Sequence, residues 1–440
     1  MNGITSPDET LVARFRAAVG HRLAERTTAA QRAGEATLDR DDQMALARRF
    51  LNDELERYAG ECLAGGKDLL TEDEEEAIAQ AVFDRLFELG RLQPLLDDER
   101  LTDILCNGHD EVFLVYADGR KVPGPPVASS SEELIEMLRE IGRRSGLSER
   151  EFNPTRPSLN VPLPDGSRLF AVAWVCDRPC VAIRRHRHLK VTLDDLRRLG
   201  AIDEGLEAFL RAAVRSRKQI LVCGATAAGK TTMLRALASE IPPEERIVTI
   251  ETELELGLDR FPELHPDCVA LEVREANVEG AGAVTASDLV RMSLRMNPDR
   301  VLVGEVRGAE VVPLLNALSQ GNDGSMCTIH ADSSGTVFNK LALYAVQAPE
   351  RLPLEATNLL AASAIDLVVW IAKTKRGRFV GSVRHVIQAD GATVVTNELF
   401  RPGPGGRAVP GDPIPGDLLA DLEDEGYDRS LHLRPGGWWA

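Results

Sequence analysis

Residues 224–232 read Gly-Ala-Thr-Ala-Ala-Gly-Lys-Thr-Thr, a G-x4-G-K-[ST] pattern. Residues of this kind at this spacing suit a phosphate group. Successive backbone N–H groups can converge on phosphate oxygens only where side chains do not crowd them. Gly224, Ala225, Thr226, Ala227, Ala228 and Gly229 keep that approach mostly clear. Lys230 offers a point charge to β- and γ-phosphates, and Thr231 offers a hydroxyl to Mg²⁺. Thr232 begins a helical run that brings a positive dipole end to the same place. The loop follows an apolar strand, Gln219–Cys223, as the pattern requires.

Three further groups could complete the chemistry. Val301-Leu302-Val303-Gly304-Glu305 is an apolar strand ending in a carboxylate. Beside a phosphate loop, such a carboxylate can hold Mg²⁺ or its water. Glu251 and Glu255 lie just beyond another strand end, in Thr249-Ile250-Glu251-Thr252-Glu253-Leu254-Glu255. Either could orient or deprotonate an attacking water; a solvated acidic loop is the other reading. Thr328-Ile329-His330 sets an imidazole after a further strand. It is either structural or a sensor of the γ-phosphate.

Holding these groups together calls for a buried parallel sheet. Ile220–Cys223, Ile247–Ile250, Val301–Val303 and Cys327–Ile329 are apolar on both faces and alternate with helical patterns. The expected class is α/β, with a P-loop domain over 206–400. Beyond about Asp366 the β-rich segments suggest a small antiparallel meander, and 401–440 reads as an irregular Pro/Gly-rich tail. Residues 191–205 read as a linker.

Residues 75–190 suggest a smaller α+β domain. Thr71 and Glu74 form a capping box ahead of Ile78, Val82 and Leu86 at helical spacing. Ile104–Cys106 and Val112–Tyr116 flank an Asn107-Gly108 turn. Ser130 and Glu133 cap a second helix carrying Leu134, Leu138 and Ile141. Residues 1–74 read as a polar, solvated helical arm.

The chain has 440 residues, 69 acidic and 52 basic, for a net charge of −17. That balance argues against a general nucleic-acid coat. No apolar run approaches the ~20 residues of a membrane span, and the first residues lack a signal-peptide pattern. Seven scattered cysteines suit a reduced, cytoplasmic protein. Cys176 and Cys180 have no matching ligand pair, so zinc is not expected. The Trp438-Trp439 pair has no assigned role.

An ordered set of blocks resembles the type II/type IV secretion and pilus-assembly ATPases, over roughly residues 75–400. The blocks are Leu163–Arg168, the loop at 224–232, Ile247–Glu251, Ala276–Gly280, Arg295–Gly308 and Asp323–Ala331. The nearest branch resembles the CpaF/TadA ATPases of Tad-type pili. The resemblance implies a RecA-like P-loop NTPase domain preceded by the smaller α+β domain, a hexameric ring, and nucleotide between the two domains. It places Glu251 and Glu255 in an acidic box, Glu305 at the Walker B position and His330 in a His box. Arg168 and Arg184 match N-terminal-domain arginines that reach the phosphates. An Arg fork on a moving domain would neutralise charge on the transferring phosphoryl group. Departures from the family pattern are Ala225, Ala227 and Ala228 in place of glycine, Thr252 for Asp and Asn322 for His. Ala227 disfavours a positive φ.

The expected function is an ATP-hydrolysing hexameric motor, using Mg²⁺, that powers pilus assembly or protein secretion. It would act through an inner-membrane platform protein, peripheral to the cytoplasmic face, without nucleic acid. ATP is the default because no guanine-reading motif is present. The alternatives are a nucleotide-binding scaffold or switch with little hydrolysis, and a RecA-class nucleic-acid motor. The net charge and the lack of an aromatic–basic stacking pattern disfavour the latter.

Overall fold

The computed structural model describes residues 7–33, 40–116, 119–144, 151–163, 165–185, 190–274, 276, 280–375 and 377–433. Pro164, residues 277–279 and the Trp438-Trp439 pair lie outside them. The chain forms two compact units, one to residue 186 and one from 187. No helix among the described residues is long and apolar enough to cross a membrane.

The first unit begins with α1 (Glu9–Ala33), α2 (Arg40–Gly65) and α3 (Glu72–Phe87). These helices are not merely a solvated arm. Val12, Phe15 and Val19 recur at helical spacing and are buried with Leu51, Ile78 and Val82. The stripe is narrow, and the Arg and Glu around it hide it in the composition. Thr71 and Glu74 make the expected capping box on α3.

After α4 (Gln93–Asp97) come β1 (Leu101–Asn107), β2 (Val112–Tyr116), β3 (Lys121–Gly124), α5 (Ser131–Arg144), β4 (Ser158–Pro162), β5 (Arg168–Val172) and β6 (Cys180–Arg184). The strands form one antiparallel sheet in the order β3-β2-β1-β6-β5-β4. Leu134, Leu138 and Ile141 of α5 join a core with Leu169, Ala171, Val181 and Ile183. Side chains alternate across a strand, so Arg168, Phe170 and Arg184 take the opposite face.

The second unit continues with α6 (Leu193–Arg198), α7 (Glu204–Arg215), β7 (Ile220–Gly224), α8 (Lys230–Ala238), β8 (Ile247–Glu251), β9 (Cys268–Glu272) and α9 (Ala286–Ser293). Then follow β10 (Arg300–Val306), α10 (Val311–Leu318), β11 (Met326–His330), α11 (Val337–Gln347), α12 (Leu354–Ala364), β12 (Leu367–Thr374), β13 (Gly377–Asp390) and β14 (Thr393–Pro402). The described chain closes with β15 (Ala408–Pro410), α13 (Gly416–Asp424) and α14 (Ser430–Leu433).

One nine-stranded sheet runs β15-β14-β13-β12-β7-β11-β10-β8-β9. The strands from β12 to β9 in that order are parallel, and β13 to β15 extend the sheet antiparallel. Separate apolar cores cover its two faces. This is the expected α/β class.

The expected antiparallel meander is β12–β14, and the parallel pairing of β12 with β7 makes it part of the main sheet. Two local expectations change. The linker at 191–205 contains α6, which is capped by a box from Thr192 and Asp195 and buries Leu193 and Leu196. Residues 401–433 of the tail form packed elements: Leu418, Leu422 and Tyr427 are buried in the core that also holds Phe209 and Phe400. Its Pro and Gly residues punctuate short elements.

Candidate active site

Strands of a parallel sheet all end at one edge, and there the loops gather polar groups. Gly224, Glu251 and His330 are each the last residue of their strand, and Glu305 is the last but one of β10. β7 lies between β12 and β11, with Gly224 in register with both Ile371 and His330. A Cβ on Gly224 would sit 2.7 Å from the Ile371 carbonyl oxygen, so only glycine fits here. Gly229, at φ 99°, precedes α8 without a side-chain cap. The opening N–H groups of α8 therefore have no side-chain partner from the cap position. Ala225, Thr226 and Ala227 are exposed. Ala227 does adopt the left-handed region, at φ 56°.

Lys230 begins α8 and is buried. Its Nζ lies 3.2 Å from His330 Nδ1 and 3.7 Å from Glu305 Oε1. His330 Nε2 is 2.6 Å from the same Glu305 oxygen. Arg307 Nε donates to the other Glu305 oxygen. Burial lowers the Lys230 pKa, and the Glu305 carboxylate opposes that shift. Burial likewise lowers the pKa of His330, again against Glu305. A neutral imidazole with its proton on Nε2 can donate to Glu305 while Nδ1 accepts from Lys230.

The two acidic-box residues differ in surroundings. Glu251 is 3 % exposed. Its Oε2 accepts from the backbone N–H of Glu255, at 2.9 Å, and of Leu256, at 2.8 Å. Burial pushes its carboxyl up to about 7, with those two bonds pulling the other way. Glu255 is half-buried, and its Oε2 accepts from the Thr231 hydroxyl at 3.4 Å. Glu251 thus orders the turn, and Glu255 is the carboxylate set beside the loop.

Some contributors have no evident signal in the sequence. Arg235 Nε donates to the Leu256 carbonyl at 3.0 Å and its guanidinium also reaches the Glu255 carbonyl. Thr328 donates to the Gly304 carbonyl at 2.6 Å, tying β11 to the strand end that carries Glu305. Arg307 follows Glu305 by two residues, and that spacing alone could have singled it out. A cavity of about 520 Å³ opens beside the loop, lined by Gly224, Thr226, His330, Asp332, Asn339 and Lys340 among others. That volume suits a small-molecule ligand.

The residues present fit a magnesium nucleotide. The Gly224 approach and the bare helix start are suited to phosphate. Thr231 and Glu305 are hard oxygen donors of the kind Mg²⁺ takes. Among the described residues, no group of three or more His, Cys, Asp or Glu is arranged to hold a metal alone. A cation here would share its coordination with phosphate oxygens.

Arg168 and Arg184 stand on the first unit. They are directly paired across β5 and β6, so both guanidinium groups leave the same face. Arg168 Nε donates to Asn160 at 3.0 Å, and Arg184 Nε pairs with Asp103 at 3.2 Å. Residues 186–188, which follow them in a basic run, lie outside the described residues.

A family model described as type II/IV secretion system protein matches residues 159–400. A putative conjugal transfer protein of Mycobacterium tuberculosis is 36% identical over 299 residues, covering 66% of this chain and 81% of that one. The type IV secretion system protein VirB11 of Brucella suis is 32% identical over 340 residues, covering 71% and 91%. A crystal structure of the VirB11 ATPase from the Brucella suis system, in complex with sulphate, is 30% identical with a TM-score of 0.36. It covers 68% of this chain and 96% of that one.

Proposed function

This chain belongs to the type II/IV secretion system protein family, and we propose that it is an ATP-hydrolysing motor of that family. The observation that carries the proposal is the convergence of Lys230, Glu305 and His330 at the phosphate-binding loop, with Glu255 on Thr231. The names of its relatives, for type IV secretion and conjugal transfer, support a secretory task. The CpaF/TadA likeness of its motif blocks favours pilus assembly within that range. We place it as a homo-hexamer working on an inner-membrane platform protein, cytoplasmic and peripheral to the membrane.

In this reading Lys230 binds the β- and γ-phosphate oxygens of ATP, and the N–H groups of residues 225–232 bind the rest of the phosphate chain. Glu255 takes a proton from the water that attacks the γ-phosphorus; ADP leaves as the bond to its β-phosphate oxygen breaks. Glu251 fixes the turn that carries Glu255. Thr231 and Glu305 would hold Mg²⁺, which supplies charge neutralisation on the transferring phosphoryl group. Arg168 and Arg184 would add positive charge from the N-terminal domain. His330 links Glu305 to Lys230 and so responds to whatever displaces Lys230.

The test is steady-state phosphate release by the full chain with Mg²⁺ and ATP, beside Lys230→Ala and Glu305→Gln. Turnover in the native chain that is lost in both variants supports the motor. ATP binding without turnover under every oligomeric condition would instead identify a nucleotide-dependent scaffold.

A further inference from the structure

The loop joining β5 to β6 carries two thiols, and neither belongs to the site described above. Cys176 is the exposed member of the seven free cysteines. Its Sγ donates to the Arg178 carbonyl at 2.9 Å. Cys180, at the start of β6, directs its Sγ to the same carbonyl oxygen at 3.5 Å. The two sulfurs therefore meet on one atom, and the Cys180 thiol is raised by burial first and by Cys176 next, while Arg178 pulls it down.

The loop that presents them is pinned. Trp174 holds a φ of 63°, a strained value for a bulky residue. Its ring packs 4.8 Å from that of Phe152, and Arg139 lies over it at 5.6 Å. Arg178 pairs with Asp110 and Glu111 across the sheet end. These contacts hold the thiols in place without using them.

The other five thiols are poor competitors. Cys62, Cys106, Cys223 and Cys327 are buried and Cys268 is half-buried, and burial pushes Cys106, Cys223, Cys268 and Cys327 up to about 12. The thiolate is the reactive form, so oxidation is directed to the exposed loop.

We propose that Cys176 and Cys180 are a redox modification site, oxidised by a hydroperoxide to a disulfide within the loop. The Cys176 thiolate attacks one peroxide oxygen and breaks the O–O bond. Cys176 becomes a sulfenic acid, and hydroxide, or the corresponding alkoxide, departs with the electron pair. The Cys180 sulfur then attacks the sulfenic sulfur, the S–S bond forms, and the sulfenic oxygen leaves as water with the thiol proton. The two thiols supply the two electrons that reduce the peroxide. A dithiol reverses the change by exchange. The bond would close the end of the hairpin whose other end carries Arg168 and Arg184.

The experiment treats the full chain with hydrogen peroxide, blocks free thiols with N-ethylmaleimide, and maps peptides by mass spectrometry. The expected peptide spanning 169–184 has lost two hydrogens, resists alkylation, and regains it after dithiothreitol. In Cys180→Ser, dimedone should trap a sulfenic acid on Cys176. In Cys176→Ser, Cys180 should stay free to alkylate. Both thiols remaining alkylatable in the native chain would overturn the proposal. So would a disulfide that maps to another pair, such as Cys106 with Cys180, or protection of Cys180 that persists in Cys176→Ser.

Discussion

His330 Nε2 stands 2.6 Å from Glu305 Oε1, and the same ring lies within 3.2 Å of Lys230 Nζ. The imidazole therefore couples the Glu305 carboxylate to the loop lysine. In the proposed hydrolysis each of those groups acts on phosphate or cation, and His330 gives both a neutral partner to exchange with. His330→Ala should lower kcat by roughly 10–100-fold, the scale on which misplaced catalytic groups lose rate. Nucleotide affinity, read with a fluorescent ATP analogue, should change little. An unchanged kcat, or a loss of affinity as large as the loss of rate, would remove His330 from this role.

Glu251 makes a pH-dependent prediction. Its pKa stands at about 7 in the folded chain against an ordinary 4.5. The protonated form is thus the one that folding favours. Its stabilising contribution is complete below 4.5 and is lost as pH rises through 7, on the order of 3 kcal/mol. Urea unfolding at a series of pH values should show the native chain losing stability relative to Glu251→Gln between pH 5 and 8. A difference that stays flat across that window would sink the assignment. The hydrolysis rate should move the other way, rising with pH, because the ionised carboxylate holds the Glu255 and Leu256 N–H groups more firmly.

Ala227 tests the cost of the substituted loop. A non-glycine residue in the left-handed region is disfavoured by about 1 kcal/mol or more, and Ala227 sits there at φ 56°. Ala227→Gly should gain roughly 0.5 kcal/mol, since the greater freedom of an unfolded glycine offsets part of the relief. Ala227→Val, branched at Cβ, should lose at least 1 kcal/mol. Denaturant midpoints at unchanged slope measure both. If glycine and valine both left the midpoint where it is, the strain would not be real.

The parallel strands and the loop were legible because both signals are local. Apolar runs at 220–223, 247–250, 301–303 and 327–329 are too continuous for half-exposed strands. The phosphate loop needs only consecutive residues. What escaped was set by distant partners. Arg300 reads as part of a motif block, yet its side chain is fully buried. It is forked onto Glu245 at 2.8 Å by two bonds and donates to the Val214 carbonyl at 2.8 Å. No spacing rule connects 214, 245 and 300. Glu251 and Glu255 were equivalent as letters, and only the backbone turn between them separated the roles. The first helices escaped for another reason, because one narrow apolar stripe scarcely changes a polar composition.

The C-terminal region gives the sharpest contrast with composition. Pro and Gly suggested an irregular tail, but Leu422 is fully buried and Tyr427 stacks edge-on to Phe209 at 5.8 Å. Phe209 in turn meets Phe400 of β14 at 5.2 Å, and His432 of α14 meets Phe400 at 5.0 Å. Lys218, two residues before β7, pairs with Asp421 at 2.5 Å. The tail thus covers the helix and strands that lead into the phosphate loop. Leu422→Ala should cost about 2–4 kcal/mol, as large-to-small changes in a packed core do. Truncation after residue 411 should bare the Phe209–Phe400 pair, lower the thermal midpoint and raise binding of an apolar dye. Asp421→Ala, by contrast, removes an exposed ion pair and should change stability by less than about 1 kcal/mol. A truncated chain as stable as the native one would return residues 412–433 to the status of a loose tail.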